Sequence, residues 1–133
     1  MLDPDKSLIR LRDLVSMRAG LLWDEKTCSY FEPSCNNNTL MNNLDDWVSY
    51  VLSQPVVETP CTRFVYNSGA SNLLAAILQD ATGQHPVAFS EDYLFGPLQI
   101  EDYRWFRNGD HPDGLPHFGG GLRIKSRDLA KLG

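Results

Sequence analysis

"RFVYNSGASNLLAAILQDATG", residues 63 to 83, limits what this chain can fold into more than any other stretch. Ala70, Leu73, Leu74, Ile77, Leu78 and Ala81 fall at offsets of three, four, seven, eight and eleven. That spacing lays them along one face of an α-helix. Gly83 stands where such a helix needs a residue able to turn left-handed and stop it. The stripe predicts a helix over 70–81 that has to be covered by other elements. Immediately ahead of it come Tyr66, Asn67 and Ser68. In structural terms Ser68 or Ser71 caps the helix, Asn67 sits in the turn, and Tyr66 is a half-buried aromatic. In chemical terms the same place suits proton transfer. A phenol ordinarily titrates near ~10, and a helix N-terminus with a lysine nearby favours its charged form. A tyrosine so placed can take a proton from a serine nucleophile and return it to a leaving group. The residues alone support both.

The remaining pattern is also mostly helical. Leu8, Leu11, Leu14 and Val15 predict a helix over 8–15 with Gly20 as its C-terminal cap. Residues 24–43, rich in Asn, Ser and Cys, are expected to be an irregular loop. Leu44, Trp47, Val48, Val51 and Leu52 predict a helix over 44–52 with Asn43 as N-cap, ended by the prolines of "QPVVETPCTRF". A short helix is expected over 87–94, stopped by "GPLQI". Five glycines and two prolines mark residues 107–121 as loop. "GLRI" suits a short strand, and "SRDLAKLG" a last helix capped by Ser126. The expected fold class is mainly α with at most a minor β component, in a single domain over residues 1–133.

Composition removes several functions. The formal charge is -5, with 12 basic residues against 17 acidic ones and no basic run, so no nucleic-acid footprint is present. Arg10, Arg12 and Arg18 suit the solvated face of a helix. No apolar stretch is long enough to span a membrane. "LDPDKS" after Met1 is not a secretory signal, and the compartment is not readable. Cys28 and Cys35 flank "SYFEPS", a loop that a disulfide can close or that can carry two reduced thiols; Cys61 is then the odd cysteine. Asp110, His111, Asp113 and His117 match no ligand spacing, so neither a metal nor a cofactor is expected. "GGG" lacks the lysine of a phosphate loop. Trp23, Trp47 and Trp105 suit the core or the wall of a cleft.

The order of four segments adds a resemblance. "LIRLRDLVSMRAGLLWDE", "VYNSG" entering a helix that ends in "TG", "YLFGPLQIEDYRW" and "GGGLRIKSRDLAKLG" together resemble the β-lactamase-related serine hydrolases. That superfamily includes class C β-lactamases, D-alanyl-D-alanine carboxypeptidases, esterases and amide hydrolases. The resemblance implies acylation and deacylation of a serine by three motifs: S-x-x-K, Y-x-N, and K-T-G or H-x-G on a strand. Only the middle motif falls in this chain. Tyr66 lies on the family's catalytic tyrosine, while Ser68 stands where the family has asparagine, with Asn67 between them. Tyr66 is therefore the expected catalytic residue, and Asn67 and Ser68 the expected substrate-binding ones. A serine lacks the paired donor and acceptor of an amide, which moves the expected substrate from β-lactam toward ester or small amide. No serine here has a lysine three positions on. The resemblance thus implies the helical subdomain of the β-lactamase/transpeptidase-like fold, a fragment inactive alone. Its alternative is a non-catalytic binding or dimerisation module, with homo-oligomers formed through exposed apolar faces. Family members are often periplasmic or secreted.

Overall fold

The computed structural model describes residues 4–108 and 114–132. A 3-10 turn (Pro4–Leu8) leads to α1 (Leu11–Val15), α2 (Asn37–Asn42), α3 (Trp47–Ser53) and α4 (Ser68–Thr82). Next come α5 (Pro86–Ser90), a π-helical turn (Glu91–Phe95), β1 (Tyr103–Trp105), β2 (Leu122–Ile124) and α6 (Ser126–Leu129). The fold is mainly α, its two three-residue strands paired antiparallel with Arg104 opposite Arg123. No helix among the described residues is long and apolar enough to cross a membrane.

Helix α4 is the axis, and α1, α2, α3 and α5 all pack on it. Its cap is Asn67, whose Oδ1 accepts from the Ala70 amide at 2.8 Å, and not Ser68 or Ser71. Gly83, with φ 68°, closes the other end in the left-handed region. The core gathers Leu14, Ala19, Leu21, Trp23, Met41, Trp47, Val51, Ala70 and Leu73. Gly69 makes this packing possible, because a Cβ there would lie 2.5 Å from the Trp23 ring and 2.8 Å from Val51 Cγ2. The apolar stripe is covered only in its first half, for Ile77 and Ala81 are exposed. The helices laid against it have five to seven residues against its fifteen.

Several expected boundaries move. The first helix covers only Leu11–Val15 and ends at Ser16 and Met17, the latter with φ 55°. Gly20 does not cap it. There the backbone crosses residues 57–58: the Val57 amide donates to Gly20 O at 2.9 Å, and a Cβ would stand 2.1 Å from Glu58 O. Residues 24–43 include α2, capped by Asn36 through the Thr39 amide at 3.0 Å. Helix α3 begins at Trp47 because Asp46 Oδ1 accepts from the Ser49 amide at 2.9 Å. Asn43 instead ends α2. The short helix after α4 starts at Pro86 and continues into the π-helical turn, whose Phe95 is buried. Lys125, not Ser126, holds the cap position of α6.

Candidate active site

Tyr66 ends the extended segment that enters α4, and 37% of it is exposed. The two residues after it face inward: Asn67 is 3% exposed and Ser68 5%. Asn67 spends its Oδ1 on the helix cap. Ser68 donates its hydroxyl to Glu25 Oε1 at 2.8 Å and its amide to Glu25 Oε2 at 3.0 Å.

Glu25 was not legible as a site residue. It is 1% exposed and accepts two further bonds, from Trp23 Nε1 at 2.6 Å and from the Tyr30 hydroxyl at 3.3 Å. A carboxylate so far from water requires such donors, and its place at the start of α4 sets its charge against the positive end of the helix dipole. Burial and the Glu25 charge push the Tyr30 phenol above its ordinary value. Lys26, the next residue, points outward and places its Nζ 4.1 Å from the centroid of the Tyr66 ring. The turn that sends the two side chains opposite ways is held by Asp24 Oδ1, which accepts from the Lys26 and Thr27 amides at 3.0 Å each. Those bonds hold the Asp24 carboxyl below its usual range.

The glycine-rich segment closes the inner side. The Gly119 amide donates to Asn72 Oδ1 at 3.2 Å. The Gly119 Cα faces both the His117 ring and Ser68 Cβ, each 3.0 Å from where a Cβ would stand. His117 is 6% exposed, lies edge-on to Trp47 at 5.2 Å, and has no partner for its Nδ1. Burial lowers its pKa, opposed by a backbone hydrogen bond and by the Glu25 charge. Asp110, His111 and Asp113 lie outside the described residues, and no cluster of metal-ligating side chains occurs among those described. Tyr103 donates to Glu91, and burial with that carboxylate pushes its phenol up to about 12. Trp23 and Trp47 are core residues, whereas Trp105 stacks on Phe118 at 5.2 Å.

Cys28 and Cys35 are joined, their Cα atoms 6.0 Å apart, and Cys61 is free and exposed. The loop they close carries Tyr30, so the disulfide, the Glu25 carboxylate and the mouth of α4 form one connected unit.

A short helical lobe with an accessible tyrosine at the mouth of its longest helix is the class of structure that these elements define. The chain matches the family model Beta-lactamase over residues 1–133 and belongs to that family. No curated protein matches it. Among solved structures it is similar to a "putative beta-lactamase" from Bacteroides dorei DSM 17855, with 24% identity and a TM-score of 0.67. It is also similar to D-amino acid amidase from Ochrobactrum anthropi SV3, solved with D-phenylalanine, with 16% identity and a TM-score of 0.65. The likeness covers 98% and 97% of this chain but only 40% and 44% of those two proteins.

Proposed function

We propose that this chain is the tyrosine-bearing lobe of a serine acyl hydrolase acting on an ester, an amide or a β-lactam. The observation that carries the proposal is Tyr66: an accessible phenol under a lysine ammonium, at a helix mouth whose first turn is fixed from within. In this reading the Tyr66 side-chain oxygen takes the proton of a serine hydroxyl as the serine oxygen bonds to the acyl carbon. The phenol then returns the proton to the leaving group as the acyl bond breaks. Deacylation repeats the exchange with water: Tyr66 accepts its proton, hydroxide adds to the acyl carbon, and the serine oxygen leaves with the proton. S-x-x-K does not occur in these 133 residues, and in this reading the nucleophile belongs to a segment outside them.

In this reading Asn67 and Ser68 are the substrate-binding residues, and through Asn67 Oδ1 and the Ser68 hydroxyl they also hold the turn that presents Tyr66. A serine at position 68 lacks the paired donor and acceptor of an amide, which favours an ester or small amide over a β-lactam. A polypeptide that joins this chain to an S-x-x-K segment and the third-motif strand is expected to hydrolyse activated esters. Tyr66→Phe is expected to lower its kcat by about 10²–10⁴, with KM little changed. The 133-residue chain by itself is expected to show no serine-dependent turnover. Stoichiometric labelling of that chain by a fluorophosphonate would overturn the assignment and turn attention to Ser68 or Ser71. The missing S-x-x-K favours a second reading, a non-catalytic binding module, whose mark is a joined polypeptide that binds ester without turnover.

A further inference from the structure

We propose that Glu25 is the positioning residue of the Tyr66 site, fixing the tyrosine ring through the first turn of α4 and through the loop that carries Lys26. The inference deepens the hydrolase reading and rests on it for its functional meaning, but its geometry stands alone. Tyr66 is followed two residues on by Ser68, and both polar groups of Ser68 end on the Glu25 carboxylate, at 3.0 Å and 2.8 Å. The tie links residues 43 positions apart in the chain. The other donors to the same carboxylate are Trp23 Nε1, anchored in the core, and the Tyr30 hydroxyl, carried by the disulfide loop. Glu25 thus joins the core, the loop and the helix mouth at one point.

Lys26 completes the device from solvent. Glu25 reaches the mouth of α4 from inside while Lys26 covers the Tyr66 ring from outside at 4.1 Å. Since the two are consecutive in a turn held by Asp24, a displacement of the Glu25 backbone moves the ammonium off the ring. Glu25 touches no reacting atom in this scheme; it acts only through Tyr66.

NMR of the 133-residue chain reads this directly. Protons on the Lys26 ε-carbon, bonded to the Nζ that lies 4.1 Å from the Tyr66 ring centroid, are expected to resonate upfield of those of a free lysine. Methyl signals of Val51 and Leu73, packed in the core, report whether the fold persists. Glu25→Ala is expected to abolish the Lys26 upfield shift while the core methyls stay in place. Glu25→Gln is expected to retain it, because the amide oxygen still accepts from Trp23 and the Ser68 amide while its NH2 donates to the two hydroxyls. An unchanged Lys26 shift in folded Glu25→Ala overturns the proposal. Should Glu25→Ala lose its core signals, Ser68→Ala and Tyr30→Phe decide, each removing one hydroxyl donor. Movement of the Lys26 signals toward the free-lysine value supports the proposal, and no movement in either overturns it. Tyr66→Phe keeps the aromatic ring and so retains the shift while removing the phenol. Loss of the ring-current effect in Glu25→Ala with full activity in a joined Tyr66→Phe enzyme would therefore sink the hydrolase reading and leave the positioning one standing.

Discussion

His117 is a histidine kept from water, edge-on to Trp47 and without a partner for Nδ1. Burial disfavours its charged form and lowers its pKa below the ordinary 6.5. The unfolded chain therefore takes up a proton near the ordinary value that the folded chain refuses. Stability is full above that value and is lost as pH falls from it toward the lowered folded value. Thermal unfolding is expected to show a lower midpoint at mildly acidic pH than at pH 8. His117→Gln is expected to flatten that slope, and an equal slope in both proteins would place the effect elsewhere. The Asp24 and Asp46 carboxyls, held below their ordinary 3.8 by hydrogen bonds, act in a separate window. Their contributions are present above the unfolded value and vanish as pH falls toward the folded one. Glu25 shows why such residues escape a sequence reading. In "DEK" it looks like one more solvated charge, and only its contacts with Trp23, Tyr30 and Ser68 make it interior.

Among the elements, α4 is legible in its apolar spacing and in Gly83, and Tyr66 directly precedes its N-cap. Its cap was not legible, because Asn67, Ser68 and Ser71 are all competent and only the backbone geometry chooses. Helix α3 starts at Trp47 rather than Leu44 because Asp46, not Asn43, supplies the capping oxygen. Helix α2, "NNTLMN", buries only Met41 and so has no stripe to read. Strand β1 exists through its pairing with β2, a contact across 107–121 that no local pattern encodes. Gly69 offers a test of how tightly α4 is seated. Alanine is the better helix former by about 1 kcal/mol, but its methyl would meet Trp23 at 2.5 Å and Val51 at 2.8 Å. Forcing such overpacking costs roughly 1–3 kcal/mol, and the first turn gains less from propensity than the interior. Gly69→Ala is expected to destabilise the chain by about 1–2 kcal/mol. A urea midpoint at or above that of the parent chain would show that the core yields more than its geometry suggests.

Across the described residues, the disulfide and several polar ties between distant parts of the chain meet at the mouth of α4. The Cys28–Cys35 loop, Glu25, the Asn67 cap and the Gly119–Asn72 bond all gather around the first turns of α4. By chain-entropy reasoning so small a loop contributes about 2–3 kcal/mol when closed. Thiol titration of the unfolded, unreduced chain is expected to find one reactive cysteine, Cys61; three would mean that the loop is open in solution. The far end of α4 has none of these ties, and its Ile77 and Ala81 face outward. Helices ordinarily fray from both termini inward, but here the two termini are unequal. The N-terminal turn, where first-turn amides are usually the loosest, is pinned by a buried carboxylate. The C-terminal turn is closed locally instead: Thr82 Oγ1 donates to Leu78 O at 2.7 Å and the Gly83 amide to Gln79 O at 2.8 Å. The helix mouth beside Tyr66 is thus tied to residues far away in the chain, whereas the other end is closed by its neighbours in sequence.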